Sequence, residues 1–227
     1  MSQNHISDLL KVVFVPIHKE GIKFIIIFAV VTIILAMIHN TLGTIGLVLT
    51  LWCVFFFRDP ARFTPAGENL IISPADGVVN LIEENALPPI ELGLENAEWT
   101  KISVFLNVFN VHVNRAPISG KITQVKYQPG KFFSANLPDA STHNERNSAV
   151  VETKNGEKIV FVQVAGLVAR RIVSTLKEGQ EIEAGDRYGI IRFGSRADIY
   201  LPKTTDVKIL VGQTMVGGET VIAELKK

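Results

Sequence analysis

The amino-acid sequence lacks most of the features that mark a common function. Its 23 Lys and Arg nearly balance 22 Asp and Glu, a net charge of +1, so no bulk positive field draws it to nucleic acid. One cysteine, Cys53, excludes an internal disulfide framework and sits in an apolar run, which fits a reducing compartment or indifference to redox. The five histidines have no helical or hairpin pairing, and without cysteine partners they predict no metal site. A phosphate-binding glycine loop, a dinucleotide fingerprint and a G-x-S-x-G nucleophile elbow are all missing. So is the lysine-bearing turn that a swinging-arm carrier domain needs.

Apolar residues are plentiful, and two uncharged runs concentrate them: "FIIIFAVVTIILAMI" (Phe24 to Ile38) and "LGTIGLVLTLWCVFFF" (Leu42 to Phe57). At ~1.5 Å per residue each covers ~22 to 25 Å, short of a ~30 Å hydrocarbon core by an amount that snorkelling flanks and local thinning absorb. Neither run has the polar face of a helix on a soluble core. We therefore expect a transmembrane helical hairpin, residues 22–38 and 42–57, in an N-terminal anchor spanning 1–60. A signal peptide fits less well, because the first run starts late, has no small-residue cleavage site and is followed at once by a second. Lys11, Lys19 and Lys23 precede the hairpin and Arg58 and Arg62 follow it, while the connecting turn has neither Lys nor Arg. The positive-inside rule then puts everything after residue 58 on the cytoplasmic side of the cell (inner) membrane, with Trp52 and Phe55 to Phe57 near the headgroups.

Beyond "RDPARFTP" the pattern changes to short alternating segments rich in Val, Ile and Phe and bounded by Gly, Pro, Asn and Asp. They cover 77–84, 101–109, 120–128, 149–166, 187–193, 198–202, 206–211 and 220–225, and Asn155-Gly156 marks a hairpin turn. The expectation is a mainly β, barrel-sandwich-like soluble domain of short antiparallel strands over 61–227. Only "LVARRIVSTL" (167–176) has a weak helical pattern.

The candidates for chemistry are few. His112 stands in "FNVHVNRAP", and an imidazole with its ordinary pKa near ~6.5 is the best general acid or base available. His143 lies in the polar loop "STHNERNSA", suited to an anionic headgroup or simply to solvent. Asp76, in "SPADGVV", has the local pattern of a turn. "IIRFGSRADIYLP", residues 190–202, places Gly194-Ser195 between two strand-like runs, which by itself predicts a two-residue hairpin connection.

Taken together and in order, "FFRDPAR", "SPADG", "FLNVFNVHVNR", "PGKF", "NERN", "RFGSRADIYLP" and "VGQTMVGGETVIAEL" carry a resemblance over nearly the whole chain. The sequence resembles the phosphatidylserine decarboxylase proenzymes, in their short archaeal-type class. The resemblance implies a pyruvoyl-dependent carboxy-lyase of phospholipid biosynthesis that cuts itself between Gly194 and Ser195. Ser195 would become the pyruvoyl (pyruvate) cofactor, leaving a larger beta chain 1–194 and a smaller alpha chain 195–227 as a heterodimer, with any higher oligomer left open. The substrate implied is the membrane lipid phosphatidylserine, joined through its amine as a Schiff base and released as phosphatidylethanolamine after loss of CO2. His112 would then move a proton beside the pyruvoyl, Asp76 would belong to the self-cleavage machinery, and Arg115 and His143 would contact the substrate. One departure stands out: the long forms carry two histidines three residues apart, whereas here His112 is followed by Arg115, so an Asp-His-Ser relay does not transfer whole. Two other readings remain, a non-enzymatic membrane-tethered barrel-sandwich module and a matured decarboxylase for another amino-acid headgroup.

Overall fold

The structure is a computed structural model that describes residues 15–94, 98–134, 143–167, 171–192 and 194–226. The chain forms two compact units that meet between Ala61 and Arg62.

Among the described residues the first unit holds a pair of apolar helices, α1 (Lys19–Ile38) and α2 (Asn40–Phe56). His39 separates them and caps the second, its Nδ1 accepting from Thr41 N at 3.2 Å, while His18 Nδ1 caps the first from Glu20 N at 3.3 Å. The helices run antiparallel and close together because small residues face each other. A Cβ on Gly43 would come within 2.6 Å of Ala36 Cβ, and one on Gly46 within 2.8 Å of Thr32 Oγ1. Beyond these contacts, farther from the turn, the Thr32 and Thr50 hydroxyls lie 2.9 Å apart, and each also bonds a carbonyl one turn back in its own helix. The remaining surface is apolar and exposed, as at Ile26, Ile33 and Met37. Helix α1 begins earlier than the apolar run suggests. Its 20 residues make it long and apolar enough to cross a membrane, whereas α2 is a shorter apolar helix of 17 residues.

The second unit is mainly β. Its strands are β1 (Leu70–Ile72), β2 (Gly77–Ala86), β3 (Trp99–Leu106), β4 (Val113–Arg115) and β5 (Gly120–Gln128). Next come β6 (Arg146–Glu152), β7 (Lys158–Ala165), β8 (Ile172–Ser174), β9 (Glu181–Ile182) and β10 (Arg187–Ile191). The chain ends through β11 (Ser195–Pro202), β12 (Asp206–Val207), β13 (Thr214–Met215) and β14 (Val221–Glu224). Among the described residues, these strands pair only antiparallel. Eight strands form one sheet in the order β13-β2-β3-β11-β7-β6-β5-β9, with three-stranded sheets β4-β10-β8 and β1-β14-β12 beside it. Among the described residues the end strands β13 and β9 do not pair with each other, so the large sheet is not a closed barrel.

Most expected strands form, and the Asn155-Gly156 hairpin joins β6 to β7. Gly156 takes φ +82 there, with its N–H donating to the Thr153 carbonyl at 2.9 Å. The helical expectation for 167–176 fails at its end. Residues 168–170 lie outside the described residues, and Ile172–Ser174 pairs as a strand with β10, where two β-branched side chains fit a pleat better than a helix.

The two faces of the large sheet differ. Along β11, Ala197, Ile199 and Leu201 join Ile102, Val104, Leu106, Ile159 and Phe161 in the main core. The alternate residues Arg196, Asp198 and Tyr200 face the other way. There Arg196, 1% exposed, clasps Asp198 through Nε at 2.7 Å and Nη2 at 3.1 Å, and Lys101 Nζ stands 3.8 Å from the same carboxylate. Farther along this face Arg146 forms a two-point pair with Glu91, at 2.8 Å for each contact. Burial works against the charge on Asp198, but Arg196 and Lys101 outweigh it and hold the carboxyl below its ordinary value.

A depressed native pKa stabilises the fold above the unfolded carboxyl's value of about 3.9, and that stability is lost as pH falls through the native value. Asp198→Asn should destabilise the protein by about 3 kcal/mol near neutral pH, because it strands the Arg196 charge. Thermal unfolding in detergent from pH 7 to pH 3 should show the difference between variant and parent narrowing with acid.

Candidate active site

Ser195 opens β11 and is 0% exposed. It is paired on both sides, with Leu106 of β3 and Ala165 of β7, in the middle of the eight-stranded sheet. The hairpin expected at Gly194-Ser195 does not form. β10 pairs with β4 and β8, whereas β11 pairs with β3 and β7, so the chain crosses from one sheet to another between Ile191 and Ser195. Gly194 enables the crossing with φ +66, a left-handed conformation that costs other L-residues about 1 kcal/mol or more. A Cβ there would meet nothing within 4 Å, so the demand for glycine is conformational rather than steric. Among the described residues the Ser195 hydroxyl has no hydrogen-bond partner. A buried hydroxyl left unpaired destabilises a fold, and such a group calls for a functional explanation.

His112 is also 0% exposed and lies just before β4, its carbonyl accepting from Ile191 N at 3.4 Å. It is thus ladder-bonded to the strand whose chain reaches Ser195 four residues later. An Asn-built turn sets its ring. Asn107 Oδ1 accepts from Phe109 N at 2.8 Å, and Asn110 Oδ1 accepts from Asn107 N at 2.9 Å. The Asn110 carbonyl then lies 3.0 Å from His112 Nδ1. A carbonyl can only accept, so in the neutral ring Nδ1 carries the proton and Nε2 the lone pair.

Asp76 immediately precedes β2 at the same end of the sheet, but β3 separates β2 from β11, about 10 Å at two strand spacings. Its carboxylate accepts from Arg62 Nη2 at 3.0 and 2.8 Å and from Gly217 N at 2.8 Å. The Gly217-Gly218 turn in turn presses on Arg115: a Cβ on Gly218, which has φ +82, would lie 2.5 Å from Arg115 Cδ. Arg115 is 5% exposed, and its Nη1 donates to the Gly185 carbonyl at 2.9 Å. His143 is exposed, its ring edge-on to Phe133 with centroids 6.3 Å apart.

The structure thus brings Ser195, Gly194 and His112 around one strand crossing. Asp76 and Arg115 are linked to each other through the 217–218 turn, and His143 is on a surface loop. Sequence reasoning missed Asn144. Fully buried, it donates to the Ala165 carbonyl at 2.7 Å and the Phe133 carbonyl at 2.8 Å, fastening a loop to the residue opposite Ser195. Its signal was a polar residue beside a charged pair in "HNER", indistinguishable in sequence from a solvated loop.

Fold and site together define a mainly β protein with a buried, doubly paired serine behind a left-handed glycine. A family profile described as phosphatidylserine decarboxylase matches residues 49–223. Phosphatidylserine decarboxylase proenzymes of Rickettsia bellii (strain OSU 85-389) and Rickettsia akari (strain Hartford) are each 56% identical to the chain over 218 residues, 96% of this chain and 92% of theirs. That of Rickettsia rickettsii (strain Sheila Smith) is 55% identical over the same span. The chain belongs to the phosphatidylserine decarboxylase family.

Gly194→Ala, made in a Ser195→Ala background, should fold with its packing intact and lose about 1 kcal/mol of stability to backbone strain. Denaturant titration checks this, with the single Ser195→Ala variant as reference.

Proposed function

We propose that the protein is a membrane-anchored, pyruvoyl-dependent decarboxylase that converts phosphatidylserine to phosphatidylethanolamine and CO2, with the pyruvoyl formed by self-cleavage at Ser195. The observation that carries the activity is the match over 96% of the chain to proteins named phosphatidylserine decarboxylase proenzyme. The choice of Ser195 is supported by its burial, its unpaired hydroxyl and the left-handed Gly194 before it.

Self-cleavage uses the chain's own atoms. Ser195 Oγ attacks the Gly194 carbonyl carbon, the C–N bond breaks, and the peptide becomes an ester with a free amine on residue 195. Removal of the Ser195 α-proton expels the Gly194 carboxylate and leaves a dehydroalanine, which water converts to the ketone cap with release of ammonia. The products are a beta chain 1–194 and an alpha chain 195–227. From Arg196 onward the cleaved alpha chain keeps the ladders of β11 on both sides, so the new terminus stays in place. The pyruvoyl supplies an electrophilic carbonyl that takes the substrate amine and draws off the electron pair left by CO2. His112 Nε2 holds and delivers the proton for this chemistry. A single histidine serves there, since Arg115 occupies the position three residues on, and this is why we place the chain in the short archaeal-type class.

Asp76 belongs to the cleavage machinery through Arg62 and the 217–218 turn. His143, on the surface loop, contacts the headgroup. Arg115 contacts the substrate as well. The apolar helix α1 anchors the enzyme at the membrane where its lipid substrate resides. We read α1 and α2 as a transmembrane hairpin, with the β unit cytoplasmic because the basic residues flank the hairpin and none lies in its turn. Residues 1–60 and 61–227 are then anchor and decarboxylase domain, the latter of barrel-sandwich type.

Denaturing electrophoresis of the purified protein should show two fragments, the smaller blocked at its first residue and labelled by hydroxylamine or borohydride. Ser195→Ala should leave one full-length band with no CO2 release. His112→Ala should lose turnover of labelled phosphatidylserine even in protein that matures, and full turnover in that variant would remove His112 from the mechanism.

A further inference from the structure

Between the large sheet and the β4-β10-β8 sheet, three side-chain amides form a chain. Asn147 Nδ2 donates to Gln163 Oε1 at 3.3 Å, and Gln163 Nε2 donates to Asn114 Oδ1 at 2.9 Å. Gln163 and Asn114 are 0% exposed and Asn147 5%, so none of them is a surface group that happens to touch another.

Register tells where these side chains point. Gln163 lies opposite Ala197 of β11 and opposite Asn147 of β6, while Ser195 lies opposite Ala165, two residues along β7 from Gln163. Directly paired residues share a face, and so do residues two apart, so Gln163 and Ser195 project to the same side of the large sheet. Asn114 follows His112 by two residues on the segment that faces them. Space for the contact comes from Gly189, which pairs with Asn114. A Cβ on it would sit 2.9 Å from Gln163 Nε2. A glycine in the middle of a strand weakens the strand, and here it admits a glutamine.

Burying three amides is costly unless each is satisfied, and apolar side chains of the same volume would pack this layer at lower cost. The chain does not end in a satisfied group. The Asn114 oxygen already accepts from Gln163, and among the described residues its Nδ2 has no acceptor. The Ser195 hydroxyl, on the same side of the layer, is likewise unpaired among the described residues.

We propose that the Asn147–Gln163–Asn114 chain serves self-cleavage: Asn114 Nδ2 donates to the Gly194 carbonyl oxygen as Ser195 Oγ attacks, and Gln163, backed by Asn147, positions it. This rests on Gly194-Ser195 being the bond that is cut. In the step concerned the Oγ–C bond forms, the C=O electron pair moves onto the Gly194 oxygen, and the hydroxyl proton passes to the departing amine. The pair returns as the C–N bond breaks. A donor fixed beforehand stabilises that transient oxygen charge without reorganising.

The test follows conversion of one band to two after cell-free synthesis into phosphatidylserine-containing vesicles, for the parent, Ser195→Ala, Gln163→Leu and Asn114→Asp. Gln163→Leu should slow self-cleavage about tenfold or more, the kinetic equivalent of one buried hydrogen bond. Turnover per hydroxylamine-reactive end in its matured fraction should stay near that of the parent, a split that a merely structural role would not produce. Asn114→Asp keeps the acceptor for Gln163 and exchanges the N–H donor for a carboxyl. Its cleavage rate relative to the parent should therefore recover at acid pH, where the carboxyl carries a proton to donate, and fall as pH rises. Parent-like cleavage in Gln163→Leu, or an Asn114→Asp ratio flat with pH, overturns the proposal. The second measurement decides alone if Gln163→Leu does not fold. Cleavage persisting in Ser195→Ala would instead overturn the assignment of the cleaved bond.

Discussion

The pairing of β11 between β3 and β7 is the constraint on which the rest depends. Eight residue pairs bind it to one neighbour and six to the other, beginning in both cases at Ser195. The proposed self-cleavage would sever the chain at the first residue of this strand. At a sheet edge or in a loop, the new end would fray from the site it has just created. In the fourth place of an eight-stranded sheet, the ladders from Arg196 onward and the core contacts of Ala197, Ile199 and Leu201 would survive such a cut. Backbone hydrogen bonds do not depend on whether the chain continues beyond them, so the site would outlast the loss of that peptide bond.

The same constraint explains why polar and charged groups are buried around this strand. On one face the Arg196–Asp198 pair fixes the start of β11 by charge, and on the other the Gln163 amide reaches the β4 segment. Groups of this kind add little net stability compared with apolar packing. They do define direction and register, and a reaction between a side chain and the carbonyl immediately before it tolerates little slack.

Much of the β unit was legible because its segments alternate with period two and are punctuated by Gly, Pro and Asn. This holds for 120–128 and for the hairpin around Asn155-Gly156. Short strands such as β4, β8 and β13 were not, since two or three residues carry too little periodicity, and Ile172–Ser174 became a strand only because β10 was there to pair with it. The apolar helices were plain from composition, but the beginning of α1 was not, because Lys19, Glu20 and Lys23 extend it past the apolar run. Of the site, Ser195, Gly194, His112 and Asp76 stood out in recognisable motifs. Asn144, Gln163 and Asn114 did not: a lone amide in an apolar strand such as "VFVQVA" looks like an outward-facing residue until the strand has a partner on that side.

The sequence by itself determined an apolar helical anchor, an antiparallel β unit and a Gly-Ser pair with few chemical companions, since these follow from local composition and periodicity. Only the tertiary structure decided that this pair is a crossing between sheets rather than a hairpin, and that Ser195 is buried at the head of a central strand. It also decided which polar side chains face that strand. These are relations between residues far apart along the chain, and they exist only once long-range strand pairing has chosen a register.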